Sequence, residues 1–137
     1  MVVEHGVQHI WVSNHGGRQL PDVRSTVEIL PEIVAAVKHT GAKIYVDGGI
    51  RYGFDIFKCL ALGSILDRLS NYLGADFVFI GRPSIWGNAV AGQVGVERVM
   101  DILKKELITA MKLCGVNKVS EITSKYVIDF NARRPKL

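Results

Sequence analysis

Three short apolar runs, each rich in β-branched or aromatic side chains, predict three β-strands in this chain. They span His9–Val12, Lys43–Val46 and Asp76–Ile80, and each is followed at once by a polar turn that contains glycine. An apolar run without alternation is typical of a strand that is buried on both faces. We therefore predict three buried strands whose polar neighbours collect where the strands end.

Apolar positions spaced three and four residues apart predict helices between and after the strands. The first helix is predicted to begin at the capping pattern Ser25–Glu28, with Pro31 in its first turn, and to stop at Gly41. A second helix is predicted over Gly53–Leu62 and a long third helix over Val94–Leu113. Strands that alternate with helices are typical of right-handed βαβ units around a parallel sheet, so the predicted fold class is α/β.

One segment interrupts this alternation. Gly63 could lead straight into Ala75, yet Ser64–Gly74 intervenes and repeats the preceding Leu-Gly pair at its own end. We interpret Ser64–Gly74 as an insertion at a junction between a helix and a strand. Residues 127–137 show no apolar periodicity and are predicted to be a mobile tail.

Composition excludes several classes of protein. The chain has 137 residues, of which 48% are hydrophobic and 22% charged, as in an ordinary globular domain. No apolar run approaches the roughly 18 residues of a membrane span, and the first residues lack the pattern of a secretory signal, so no membrane partner is predicted. The net charge of +4 is spread along the chain, which favours a solvated basic surface over a nucleic-acid partner.

The two cysteines, Cys59 and Cys114, lie far apart in the chain. Neither belongs to a CxxC pair, and no histidine stands at metal-ligand spacing from them. We predict that both are reduced, buried packing residues and that the chain has no metal site.

The turns after the strands carry residues that suit a phosphate-bearing ligand. Gly48, Gly49 and Gly81 have no Cβ, so their backbone N–H groups can approach a phosphate closely. Arg51 and Arg82 can add paired, charge-assisted hydrogen bonds. Each motif alone is typical of an ordinary turn. Because parallel strands bring their carboxyl ends to one edge, the motifs together favour a phosphate site.

His15 lies just past the first predicted strand, and Arg18 follows three residues later. An imidazole can take up a proton near neutral pH, and a guanidinium can hold a carboxylate beside it in a fixed orientation. A lone histidine is more often a structural residue. This pair, at a strand end, suits proton removal from a small carboxylate substrate.

The same motifs resemble those of a known family. The sequence SNHGGRQ at Ser13–Gln19 closely resembles the active-site signature of the FMN-dependent 2-hydroxy-acid oxidases and dehydrogenases, the family of glycolate oxidase, lactate oxidase and flavocytochrome b2. The segments Asp47–Gly53 and Phe79–Pro83 match that family in the same order. The resemblance runs from about residue 6 to residue 126, apart from Ser64–Gly74.

The resemblance implies a partial TIM (β/α)8 barrel in residues 1–126, with strands six to eight, their helices and the carboxy-terminal helices. It implies FMN-dependent oxidation of a small (S)-2-hydroxy acid to the 2-oxo acid, with oxygen as acceptor giving hydrogen peroxide, and a homo-oligomer for the complete enzyme. By the resemblance, His15 is the catalytic base and Arg18 binds the substrate carboxylate. The implied FMN contacts are Ser13, Asp47, Gly48, Gly49, Ile50, Arg51, Gly81 and Arg82.

The resemblance covers only the carboxy-terminal part of such an enzyme. Three strands cannot close a barrel, so sheet edges and an apolar face stay exposed, and we expect the isolated chain to be an inactive fragment. The alternatives are a non-catalytic fragment that binds FMN or phosphate, and another phosphate-binding TIM-barrel enzyme. Pro135-Lys136-Leu137 resembles the Ser-Lys-Leu peroxisomal address, so we expect a peroxisomal location, with cytoplasm or mitochondrion as alternatives.

Overall fold

A computed structural model describes residues 2–62 and 74–127 of the chain. Its sheet contains three parallel strands in the order β1–β2–β3, and they span His9–Val12 (β1), Lys43–Val46 (β2) and Phe77–Val78 (β3). His9 lies opposite Lys43 in the register, and Tyr45 lies opposite Phe77. The predicted parallel sheet of an α/β fold is therefore confirmed.

Three α-helices follow the strands along the chain: α1 (Thr26–Val37), α2 (Gly53–Ala61) and α3 (Arg82–Leu113). Short 3-10 helices span Val2–His5, His15–Gly17, Lys38–Thr40, Val119–Glu121 and Ser124–Tyr126. Among the described helices, none combines the length and the apolar character that crossing a membrane requires. The predicted order β-α-β-α-β is confirmed. Residues 63–73 and 128–137, where the insertion, most of the tail and the terminal tripeptide were predicted, lie outside the described residues.

The strands are not buried on both faces, and that prediction was wrong. Val12 and Val46 point toward α1 and α2 and are buried. On the opposite face Trp11 is 54% exposed and Phe77 is 56% exposed. Because these aromatic side chains are apolar, the sequence pattern predicted that this face is buried. In the described part of the chain, however, no helix covers it. Apolar runs therefore predicted the strands correctly but not which faces are covered.

The third strand is shorter than the predicted Asp76–Ile80. Regular pairing is confined to Phe77–Val78, although Phe79 still donates its N–H to the Val46 carbonyl at 2.8 Å. At the other end, the Asp76 carboxylate accepts the Ile44 N–H at 2.9 Å, which a backbone carbonyl would accept in a regular ladder. The Asp76 side chain thus replaces one backbone hydrogen bond at this position, while the Asp76 N–H still donates to the Ile44 carbonyl at 2.7 Å.

The predicted start of α1 is confirmed. The Glu28 carboxylate accepts hydrogen bonds from the Ser25 N–H at 2.9 Å and the Ser25 hydroxyl at 2.8 Å, as a capping pair does. Gly41, at φ 75°, ends the 3-10 turn that follows the helix. Pro31, however, lies inside α1 and beyond its first turn. Because proline has no N–H, Pro31 cannot donate to the carbonyl of Val27, four residues earlier in the helix.

The long third helix begins earlier than the predicted Val94. It starts at Arg82 and is interrupted at Ala91 and Gly92, where the backbone leaves the helical region. Gly92 adopts φ 56°, a conformation that glycine adopts without a Cβ penalty. A Cβ added at Gly87 would lie 2.6 Å from the Gly95 carbonyl oxygen. The two halves of α3 therefore approach each other through glycines, a tertiary contact that hydrophobic spacing does not reveal.

Two hydrophobic clusters hold the elements together. The first lies between the sheet and α1 and includes Leu30, Val34, Ile44 and Val46. The second joins α2 to α3 and to the following 3-10 segments, and it contains Phe57, Leu60, Ala61, Ala110, Val116 and Ile122. Together the clusters pack α1 and α2 against one face of the sheet and α3 against α2.

Both cysteines are free thiols. Cys59 is buried in the first cluster, and burial raises the pKa of its thiol to about 12. This confirms the prediction of a packing residue. Cys114 is only half-buried, because it lies at the end of α3 rather than inside the helix interface.

Candidate functional site

A cavity of about 430 Å³ lies at the carboxyl ends of the three strands. The turns after β1, β2 and β3 all contribute to its wall. The predicted site residues that line it are His15, Arg18, Asp47, Gly48, Gly49, Ile50, Arg51, Gly81 and Arg82. The fold therefore brings together residues that lie far apart in the sequence, and Ser13 is the predicted site residue that does not line the cavity.

The turn after β1 winds through three consecutive residues with positive φ: His15 (54°), Gly16 (67°) and Gly17 (74°). The Ser13 hydroxyl accepts the His15 N–H at 3.2 Å, and Asn14 Oδ1 accepts the Gly17 N–H at 3.2 Å. Positive φ is unfavourable for a residue with a side chain, so these hydrogen bonds hold His15 in a strained conformation. Ser13 thus contacts the backbone of His15 and stabilises the conformation of the turn.

The turn after β2 carries Asp47, Gly48 and Gly49. Gly48 and Gly49 adopt φ values of 89° and 79°, which disfavour any residue with a Cβ. The backbone carbonyl of Asp47 accepts a hydrogen bond from the Thr26 hydroxyl. Asp47 Oδ1 is buried, and no residue in the described ranges is its hydrogen-bond partner. A buried carboxylate oxygen without a donor is costly, so this atom marks a place for a hydroxyl or N–H group of a ligand.

The next two residues of this turn differ in their surroundings. Ile50 borders the cavity, but its side chain is buried in the first hydrophobic cluster. The Arg51 side chain is exposed, while its backbone N–H donates to Asp55 Oδ2 at 3.1 Å. Asp55 also accepts the Tyr52 N–H at 3.0 Å, so its carboxylate caps the start of α2. This cap holds the backbone from which Arg51 extends.

The turn after β3 leads directly into α3. Gly81 precedes the first helical residue, Arg82, and a Cβ at Gly81 would meet no atom within 4 Å. The open space leaves the amino-terminal end of α3 accessible, and its partial positive charge favours an anion there. A Cβ at Gly16 would lie 4.0 Å from Arg82 Nη2, so this guanidinium reaches across to the turn after β1.

The charges of the cavity favour an anionic ligand. Its lining in the described part of the chain includes three guanidinium groups, those of Arg18, Arg51 and Arg82, and one carboxylate, that of Asp47. Guanidinium groups form paired hydrogen bonds with phosphate and with carboxylate. Glycine turns, an accessible helix end and three guanidinium groups together suit a ligand that carries phosphate.

Sequence reasoning missed the aromatic part of the cavity, which includes Trp11, Phe79 and Trp86. The Trp11 and Phe79 rings stack with their centroids 4.5 Å apart. Strand alternation could have revealed one of these residues, because Phe79 precedes Gly81, which lines the cavity, by two positions. Trp86 lies in the first half of α3, a helical stretch that was not predicted.

Comparison with known proteins agrees with this geometry. The family model described as FMN-dependent dehydrogenase matches residues 1–129. The chain is 46% identical to 2-hydroxyacid oxidase 2 of Bos taurus over 127 residues, which cover 93% of this chain and 33% of that protein. It is 46% identical to L-lactate oxidase of Nostoc sp. over 125 residues, which cover 91% of this chain and 31% of that protein.

Solved structures agree in fold. The flavin-binding domain of baker's yeast flavocytochrome b2 superposes with a TM-score of 0.81 at 33% identity, covering 99% of this chain and 33% of that one. A soluble mutant of (S)-mandelate dehydrogenase from Pseudomonas putida gives a TM-score of 0.76 at 32% identity, covering 90% of this chain and 32% of that one. The predicted partial barrel is therefore confirmed. The chain spans about a third of the length of the curated relatives it matches, and by sequence and fold it belongs to the FMN-dependent dehydrogenase family.

Proposed function

We propose that this chain forms the carboxy-terminal part of an FMN-dependent enzyme that oxidises a small (S)-2-hydroxy acid to the 2-oxo acid. One observation carries the proposal: the turns after three parallel strands bring His15, Arg18, Asp47 and Arg82 to a single cavity. Sequence similarity to relatives that are named 2-hydroxyacid oxidase and L-lactate oxidase supports the substrate class.

The cavity fits the chemical groups of FMN. The Gly48-Gly49 turn, the amino-terminal end of α3 and the guanidinium groups of Arg51 and Arg82 would hold the phosphate. The buried Asp47 Oδ1 lacks a donor in the described residues, and a ribityl hydroxyl would supply one. When bound, FMN would accept the two electrons that the substrate loses.

The residues of the first turn suit the substrate. Arg18 would bind the substrate carboxylate through two parallel hydrogen bonds, which fixes the hydroxyl-bearing carbon. The His15 imidazole would take up a proton as the C–OH group becomes C=O. Oxidation of the hydroxy acid releases two electrons and two protons; His15 would receive the hydroxyl proton, and the proton on the adjacent carbon would leave with the two electrons. With oxygen as the final acceptor, the second product would be hydrogen peroxide.

We propose further that the isolated chain is inactive. Trp11 and Phe77 are more than half exposed, and the described sheet ends at β1 and β3 with unpaired edges. In a barrel that face is the packed interior and those edges pair with other strands. The enzyme would therefore require the other barrel strands, which would also complete the wall of the cavity.

Reconstitution tests the proposal. The chain would be coexpressed with the amino-terminal two-thirds of human 2-hydroxyacid oxidase 1, a relative to which it is 45% identical over 125 residues. We expect a complex with flavin absorbance that glycolate or a longer 2-hydroxy acid bleaches in the absence of oxygen. The chain alone should produce no hydrogen peroxide from these acids. A complex that holds flavin but is bleached by none of them would favour a non-catalytic binding fragment instead.

A further inference from the structure

We infer that Thr26 and Asn14 are positioning residues, which set the distance between the turn that carries His15 and Arg18 and the turn that carries Asp47. Neither side chain lines the cavity. Both side chains instead lie next to Gly48, where the two turns approach each other. The inference deepens the proposed function, on which it rests for the roles of His15 and Asp47.

Thr26 links α1 to the second turn. It is the first residue of α1 and is only 4% exposed. Its hydroxyl donates a hydrogen bond to the backbone carbonyl of Asp47. Because α1 packs against the sheet through Leu30 and Val34, this hydrogen bond ties the Asp47 backbone to the hydrophobic core. Thr26 thereby fixes the backbone from which the Asp47 carboxylate extends.

Asn14 links the first turn to the second. Its Oδ1 atom accepts the Gly17 N–H at 3.2 Å, which closes the turn around His15. A Cβ added at Gly48 would lie 3.1 Å from this same Oδ1 atom and 3.1 Å from the Thr26 hydroxyl oxygen. Gly48 is thus held between the two side chains, and its missing Cβ allows both of them to approach.

These contacts couple the two turns structurally, so that a change in one turn should affect the other. The Thr26 hydroxyl holds Asp47, the Asn14 amide holds the His15 turn, and Gly48 lies against both oxygens. If Thr26 loses its hydroxyl, the Asp47 carbonyl loses its donor and the contact at Gly48 loosens. Exchange in the turn that carries His15 should then also change, although within the described residues the Thr26 hydroxyl donates to Asp47 and not to that turn.

Amide hydrogen exchange of the 137-residue chain tests this coupling. The variant Thr26→Val removes the hydroxyl at nearly constant volume, and Thr26→Ser retains it. We expect Thr26→Val to speed exchange about fivefold to tenfold at Asp47, whose N–H donates to the Val12 carbonyl, and also at Gly17, on the scale of one lost hydrogen bond. Thr26→Ser should restore both rates, while Ile44 and Val46 in the core should keep theirs in each variant.

Thr40 provides the matched control. Its hydroxyl also donates to a backbone carbonyl, that of Val37 at 2.7 Å, but it lies beyond the opposite end of α1. Thr40→Val should leave exchange at Gly17 and Asp47 unchanged. Unchanged exchange at Gly17 in Thr26→Val would overturn the inference, and so would an equal rise in both Thr→Val variants.

A titration with FMN separates this inference from the proposed function. If the chain binds FMN, Thr26→Val should weaken binding about tenfold and Thr26→Ser should restore it. Full affinity in Thr26→Val would count against the inference. If the unchanged chain binds no FMN, that result counts against a cofactor site in the isolated chain, and the exchange rates still decide the role of Thr26.

Discussion

The backbone N–H of Ala75 donates a hydrogen bond of 3.1 Å to the carbonyl of Cys59, although the segment 63–73 separates the two residues in the sequence. Next to it, the Gly74 N–H donates to the Leu60 carbonyl at 2.6 Å. The end of α3 has the same two hydrogen bonds, formed there by residues of one continuous stretch of the chain. There Val116 donates to Met111 at 2.8 Å, and the Gly115 N–H donates to the Lys112 carbonyl at 3.1 Å. Both pairs have the pattern of a Schellman motif.

We therefore predict that excision of residues 63–73 leaves the end of α2 intact. Removing 63–73 or Ser64–Gly74 yields the same chain, in which Gly-Ala follows Leu62 directly. Closing a loop of this length costs on the order of 2 kcal/mol of chain entropy, so the excision should raise the melting temperature. The measurement is thermal unfolding followed by circular dichroism.

A second excision, of residues 63–74, serves as the control for this prediction. It removes Gly74 as well and puts Ala75 at the position that favours glycine, at a cost of about 1 kcal/mol. This variant should melt below the first one. A melting temperature below that of the unaltered chain after the first excision would show that the segment contributes to packing.

In the reconstituted enzyme, His15→Ala should block reduction of the flavin while leaving flavin bound. His15 belongs to the turn after β1, whereas the glycine turn and the start of α3 form the other side of the cavity. Stopped-flow absorbance would follow reduction, and the bound flavin spectrum would report cofactor content. Reduction at a rate close to that of the unaltered enzyme would contradict the role of His15.

Arg18→Lys should chiefly weaken substrate binding. Lysine keeps the positive charge but loses the planar pair of donors, which costs ~2 kcal/mol and corresponds to an increase in KM of about 30-fold. Steady-state kinetics would separate KM from kcat. A fall in kcat with an unchanged KM would instead connect Arg18 to the chemical step.

Tryptophan fluorescence should report ligand binding directly. The chain contains two tryptophans, and both Trp11 and Trp86 line the cavity. We expect FMN to quench the emission of Trp11→Phe and of Trp86→Phe, each of which retains one of these residues. Inorganic phosphate should not quench either variant, because it has no ring to absorb the emitted light. Quenching no greater than that of free tryptophan at the same FMN concentration would contradict a flavin site in this cavity.

The cap of α1 should make the chain sensitive to acid. Hydrogen bonds from the Ser25 hydroxyl and N–H lower the pKa of Glu28 below its ordinary value of 4.5. A carboxylate with a lowered pKa in the folded state contributes stability above pH 4.5, and this contribution is lost as pH falls through the lowered value. Melting temperatures of the unaltered chain and Glu28→Gln should therefore differ at pH 7 and converge on acidification. Glu97→Gln, at an exposed position on α3, is the control.

Local sequence was enough to predict the three strands, the start of α1 and the clustering of polar turns at one edge. The strands are continuous apolar runs bounded by glycine, and the Ser25 cap acts over three residues, so both signals are short in range. The carboxyl ends of parallel strands share one edge in any such fold, which is why Asp47 and Arg82 line the same cavity.

Tertiary structure alone decided which sheet face is covered, how α3 is divided and which side chains stand behind the cavity. Trp11 and Val12 are both apolar, yet only the position of the helices leaves one exposed and the other buried. Likewise, Asn14, Thr26 and Gly48 carry no shared signal in the sequence, because their contact depends on how three elements pack. Such distances follow from the packing of the whole core, and no local pattern of residues contains them.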